Sequence, residues 1–278
     1  MVKNLEQLFS HHKIDSEKPG FYDDPAFIAA EKNDPLFLEN YARFVDTRAF
    51  SSEYLALAKV EIPLIASICH QELVADGRLG ACIDIGMILS RILEREGFWN
   101  YQVKGSMTVK FPQTSGIGNR YFWSYDVLPL GQEGFAAAHS WIVAPPFTIV
   151  DVAIRQQPYK KGRELLPDLV MSEIATGAMV TIEDIFSPDF IAFARAKQVP
   201  ARKMVQTFAP HLRQFSQDFP ATEVPFGEIR LVYIPVAIGA PDLPFENMNG
   251  SYFNGRLGIE LYNDLVVPAL SDHRRSAR

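Results

Sequence analysis

The sequence predicts an α+β fold in which a cysteine-bearing helix packs on an antiparallel sheet, with helical additions at both ends. Three features of the chain carry that prediction. Leu55, Ala58, Ile62, Ile65, Cys69 and Leu73 recur three and four residues apart, the apolar stripe of a helix, with Pro63 expected to kink it. A second helix is predicted from Cys82 to Glu96, with Ile85, Leu89, Ile92 and Leu93 on its apolar face and Gly97 as a natural stop. Beyond Gly97 the composition turns to strand-forming runs at 101–111, 121–128, 138–144 and 147–153, the last two joined at Pro145-Pro146.

The remaining elements follow in order. The first 50 residues mix charges with Phe21, Tyr22, Phe27, Phe37, Tyr41 and Phe44 and read as short helices wrapped on a core. Asp76 to Gly80 is a turn-rich joint, and 114–119 and 129–134 are loops. Residues 183–217 read as mainly helical with a break near Pro200, and Gly227 to Ala237 as a strand. Leu257 to Val267 fits helix or strand, and His273 to Arg278 reads as a frayed basic tail. The expected organisation is an N-terminal helical extension (1–51), a catalytic core (52–156) and a mixed α/β C-terminal extension (157–278).

The 278 residues carry a net charge of −6. That balance argues against a nucleic-acid partner, which needs a basic face. The N-terminal stretch has no apolar run fit for a signal peptide, and no segment has the ~18 uninterrupted apolar residues of a membrane span. Two cysteines, Cys69 and Cys82, do not make a disulfide scaffold in a chain of this length. The expectation is a cytoplasmic protein with free thiols, no membrane partner, and an oligomeric state the sequence leaves open.

Chemistry converges on three residues. A nucleophilic cysteine needs a stabilised thiolate and a reachable sulfur. The first turn of a helix, with unpaired N–H groups and the positive end of the macrodipole, favours that negative charge. Cys82 occupies such a position, after the small residues Gly80 and Ala81, and the same N–H groups could hold an oxyanion. Inert burial is the commoner fate of a lone cysteine, and Cys69, mid-helix on an apolar stripe, is assigned to it. His139 is the candidate base, on a strand whose alternation groups it with Trp141 and Val143 against Ser140 and Ile142. Asp151, flanked by Ile149-Val150 and Val152-Ala153, is costly to bury without a partner. A three-residue hairpin loop, Ala144 to Pro146, would pair it directly with His139. A two- or four-residue loop would put the two on opposite faces.

The run Gly80-Ala-Cys-Ile-Asp-Ile-Gly-Met-Ile-Leu-Ser-Arg-Ile-Leu-Glu-Arg-Glu-Gly97, followed by Val103-Lys-Gly105, His139-Ser-Trp-Ile-Val143 and Ile149-Val-Asp-Val152, resembles the core of the transglutaminase-like superfamily of cysteine proteases and acyltransferases, with its papain-like arrangement. The resemblance covers about residues 76–155. The chain departs from the pattern in lacking a tryptophan next to the cysteine and in carrying a hairpin-like insert at 112–137. The resemblance implies acyl transfer through a thioester, with catalytic Cys82, His139 and Asp151 as nucleophile, base and orienting acid. The implied partner is a peptide, protein or small amide substrate, with no cofactor and no metal. Two rivals follow from the same residues: a non-catalytic binding module on this fold, and a small-acyl transferase similar to arylamine acetyltransferases.

Other candidates are weaker. Gln71 is a possible oxyanion donor, though a solvated residue fits it better. Asp126 is a second-choice orienting acid. His11-His12 reads as a solvated pair, and His70 beside Cys69 lacks metal-ligand spacing. Gly116-Ile-Gly118 lacks the strand and helix of a nucleotide loop. Trp123, Tyr125 and Trp141 are expected in the core or at the cleft.

Overall fold

Ser51 starts the longest helix by accepting a hydrogen bond from the Tyr54 N–H, an N-cap that satisfies one of the orphan donors of the first turn. In this computed structural model, which describes residues 2–128, 132–135, 138–250 and 252–276, the helices up to that point are α1 (Val2–His11), α2 (Pro25–Asn33), α3 (Leu38–Thr47) and α4 (Ser52–Asp76). Pro63 is carried inside α4 without ending it, and Gly77 closes the helix in the left-handed region. α5 (Cys82–Arg95) follows, and Gly97 (φ 87°) turns the chain into the first strand.

The strands are β1 (Tyr101–Lys110), β2 (Arg120–Phe122), β3 (Tyr125–Leu128), β4 (Gln132–Phe135), β5 (His139–Ala144), β6 (Phe147–Asp151), β7 (Val170–Ser172) and β8 (Thr176–Gly177). The chain continues through α6 (Ile182–Ile185), α7 (Pro188–Ala196), α8 (Met204–Phe208) and α9 (Leu212–Asp218) to β9 (Thr222–Phe226) and β10 (Ile229–Gly239). The small hairpin of β11 (Tyr252–Phe253) and β12 (Arg256–Leu257) precedes α10 (Gly258–Leu261), which runs through a π turn into α11 (Val267–Ser276). The fold is α+β. Among the described residues the main sheet has eight strands in the order β7-β6-β5-β1-β10-β9-β8, with β2 also on β1. Its strand pairs are antiparallel. The sheet thus draws its central pair from two distant segments, β1 from 52–156 and β10 from 157–278.

Strand alternation divides the core in two. Trp141, Val103, Ile149 and Tyr233 face one hydrophobic cluster, shared with the N-terminal helices. Ile142, Ala144, Val150 and Val152 face another, shared with α4 and α5. Two glycines permit the close approaches this layering needs. A Cβ on Gly86 in α5 would stand 2.7 Å from Gln102 Nε2 on β1. One on Gly105 would stand 2.1 Å from the Ile234 carbonyl of β10 and 2.8 Å from the Trp141 ring, so packing requires the glycine of the Val-Lys-Gly run.

Several expectations are corrected. The 121–128 run is two strands, broken at Trp123-Ser124, and the second pairs with β4 as a hairpin. The expected 129–134 loop falls partly outside the described residues, and its end, from Gln132, is strand. Leu257–Val267 is predominantly helical. His273, Arg274 and Arg275 are not frayed, because α11 runs to Ser276 and Arg274 clamps the fully buried Glu61 carboxylate at 2.7 and 2.6 Å; the rest of the expected tail, 277–278, lies outside the described residues. Among the described residues no helix is long and apolar enough to cross a membrane.

Candidate active site

The hairpin that carries His139 and Asp151 reaches its geometry by a route the sequence does not announce. The loop is two residues long, a cis Pro145-Pro146 pair, with Ala144 opposite Phe147. Continued without interruption, that register would send His139 and Asp151 to opposite faces. Instead the pairing shifts by one, so that Ile142 stands opposite Val150. The extra residue on β6 is a bulge, visible also in Phe147 and Val150 both joining the α4–α5 cluster although they are three apart. The expected three-residue loop is therefore wrong, and the direct pairing with it. Asp151 is set opposite Trp141 by the shifted register and diagonal to His139, within cross-strand reach.

Contact follows. His139 Nε2 donates to Asp151 Oδ2 at 2.7 Å, with both side chains fully buried. Asp151 is held from every side: the Tyr233 hydroxyl donates to the same oxygen at 3.0 Å, and the Ala153 N–H donates to Oδ1 at 2.9 Å. Three donors on one carboxylate meet the cost of burying it. The imidazole packs beside Trp141 and Tyr233, with ring centroids 6.1 and 6.3 Å away, and those two rings lie 5.1 Å from each other. Its other nitrogen, Nδ1, is buried and makes no hydrogen bond. Burial alone would lower the imidazole pKa. The charge and hydrogen bond of Asp151, with a further contribution from the Cys82 side chain, outweigh it and raise it to about 10.

Cys82 is the first residue of α5 and is 3% exposed. It belongs to the α4–α5 core, whereas His139 shares a face with the aromatic residues of the other core. The Cys82 thiol donates to the Gly80 carbonyl at 4.0 Å, and its side chain contributes to raising the imidazole pKa. The start of α5 has no side-chain cap: Ala81 is the N-cap, and the first helical bond runs from Ile85 N–H to the Ala81 carbonyl at 3.1 Å. The N–H groups of Cys82, Ile83 and Asp84 thus lack an intrahelical acceptor. A serine or aspartate cap would occupy them; alanine leaves them for a thiolate or an oxyanion. Gly80 (φ 75°) fixes the approach to the helix by donating its N–H to the Gln156 carbonyl at 2.8 Å.

The structure brings together all three residues singled out in the sequence. It does not bring Gln71 or Asp126 to them. Gln71 is exposed, near Ser67, and Asp126 accepts from Ser187 Oγ at 2.5 Å. His70 gives Nδ1 to the Val152 carbonyl at 2.9 Å, an anchor for β6. His11 and His12 are exposed. Trp123 donates its indole N–H to the Glu183 carbonyl, and Trp141 packs near His139. No group of three potential metal-ligating residues occurs among the described residues. Sequence reasoning missed two tyrosines. Tyr233, 82 positions from Asp151, reaches it because β10 lies beside β1. Tyr159 has a buried hydroxyl without a partner, and burial together with the Asp151 charge pushes its pKa up. A tyrosine at an inward position of the 229–239 strand was the only signal for the first, and nothing in the local sequence marks the second.

No protein-family model matches the chain, no curated protein matches it, and no solved structure matches it. The chemistry of the site is accordingly read from its own residues.

Proposed function

We propose that the protein is a cysteine-dependent acyl-transfer enzyme of transglutaminase-like design. The observation that carries this is the buried 2.7 Å bond between His139 Nε2 and Asp151, which leaves Nδ1 unbonded for the Cys82 thiol. With the imidazole pKa raised by Asp151, the reactive form is a thiolate–imidazolium pair in which Nδ1 holds the proton the thiol has given up, and Asp151 stabilises the cation and fixes the ring. The sulfur attacks an amide or ester carbonyl, whose oxyanion is received by the free N–H groups at the start of α5. His139 returns the proton to the leaving amine or alcohol as the C–N or C–O bond breaks. Water or an amine then attacks the thioester, His139 accepts its proton, and the thiol is regenerated.

The small exposure of Cys82 favours a second reading, a binding module that keeps this scaffold without turnover. One reaction separates them. p-Nitrophenyl acetate should acetylate Cys82 with release of p-nitrophenolate, the acetyl group being located by peptide mass spectrometry. Release that is unaffected by Cys82→Ala, or an acetyl group found only on other residues, would defeat the enzymatic reading. Supplying an amine and detecting its acetylated product then distinguishes transfer from hydrolysis.

A further inference from the structure

One cavity has none of Cys82, His139 and Asp151 in its lining. It has a volume of about 800 Å³ and is walled by Val205, Leu212, Phe219 and Ile234, with Arg202 and Arg213 among its lining residues. That volume suits a small organic molecule. No carboxylate lines the cavity. Neither arginine is engaged by an acidic residue among the described residues. The setting is unusual for this chain: from Phe190 to Gln217 there are five basic residues (Arg195, Lys197, Arg202, Lys203 and Arg213) and no acidic one, in a protein of net charge −6. Two exposed arginines without an acidic partner, in the lining of a cavity that also presents apolar side chains, form a charge pattern that selects an anion with a hydrophobic body.

The cavity also has a direction. Phe219, Pro220 and Pro235 line both it and a smaller one of about 290 Å³ bounded by Trp141 and Tyr233. The two carboxylates of that second cavity are already engaged. Asp218 pairs with Arg43 at 3.0 Å, and Asp46 accepts from the Tyr101 hydroxyl at 2.9 Å. The anionic end of a ligand is therefore attracted to the arginine end, and its apolar end points toward the aromatic residues against which His139 packs.

We infer that this cavity is a binding site for an amphipathic carboxylate, its head group on Arg202 and Arg213 and its chain along Leu212, Phe219 and Ile234. The site stands whether or not Cys82 turns over a substrate, because none of its residues belongs to the triad. Calorimetric titration of the full chain with decanoate, below its micelle concentration, tests it, with decanol as the uncharged control. Decanoate should bind one to one. The double variant Arg202→Gln/Arg213→Gln should weaken decanoate at least about tenfold, the scale of losing charge-assisted hydrogen bonds, and leave decanol within about twofold. Ala178→Trp, which fills the cavity from the wall it lines, should abolish both while the thermal unfolding transition is retained. No decanoate binding to the wild-type chain, or equal decanoate affinity in the double variant, overturns the assignment, as does undiminished binding to a folded Ala178→Trp.

Discussion

Cys69 lies in the middle of α4, and Cys82 begins α5 thirteen residues later. Burial hardly separates them, since one is 0% and the other 3% exposed. Their surroundings do. Cys69 is enclosed by an apolar stripe, and burial, with the nearby Glu72 charge, pushes its thiol up to about 12. At neutral pH its thiol therefore keeps its proton. Cys82 has a helix start without a side-chain cap beneath it and an imidazole, itself oriented by Asp151, beside it. A buried thiol is made inert or reactive by the groups that can take its proton and stabilise its charge, more than by how much of it water touches.

That contrast can be broken experimentally, and the largest effect should come from the cysteines themselves. Cys82→Ala is expected to eliminate acyl-enzyme formation with p-nitrophenyl acetate, whereas Cys69→Ala should retain it within about twofold and cost about 1 kcal/mol of stability through the small cavity it leaves. Loss of the acyl-enzyme in Cys69→Ala alone would reverse the roles. Next in size, Asp151→Asn should lower the acylation rate roughly 10²–10⁴-fold, because an amide no longer enforces the ring orientation or stabilises the imidazolium. Stopped-flow burst kinetics on Asp151→Asn measure this directly.

A smaller effect concerns pH. His139 is raised above its ordinary value in the folded protein, so the stability it contributes is fully present below about pH 6.5 and is lost as pH rises through about 10. Urea unfolding at pH 7 and pH 10 should show the wild type losing more stability across this window than His139→Gln. An equal loss in both would mean that the ion pair contributes nothing. The smallest change is Tyr233→Phe, which removes one of three donors to Asp151 and should slow acylation about 2–10-fold, the equivalent of a single hydrogen bond. No change would remove Tyr233 from the site.

The legible parts of the sequence are those with local causes. α5 was readable from its apolar period and Gly97. His139 and Asp151 were readable because charged groups in apolar strands need partners. The hairpin connecting them was not. Its loop length came out at two, the value that should have separated the pair, and a bulge on β6 restored the common face. A bulge depends on packing of both faces at once, which local composition does not record. The partnership of β1 with β10 was equally hidden, since it spans more than a hundred residues, and Tyr233 was hidden with it. The C-terminal tail was misread for a related reason: Arg274 is ordered by a buried carboxylate on α4, 213 positions away.

The proposed chemistry makes Cys82, through His139, the reactive thiol of the pair. Iodoacetamide alkylation at pH 7, with the rate at each cysteine resolved by peptide mass spectrometry in the wild type and in His139→Ala, tests it most directly. Cys82 should be alkylated at least about tenfold faster than Cys69, and His139→Ala should remove most of this advantage while leaving Cys69 unchanged, since only thiolate reacts. Alkylation of Cys69 at an equal or greater rate, or a Cys82 rate indifferent to His139→Ala, would contradict it.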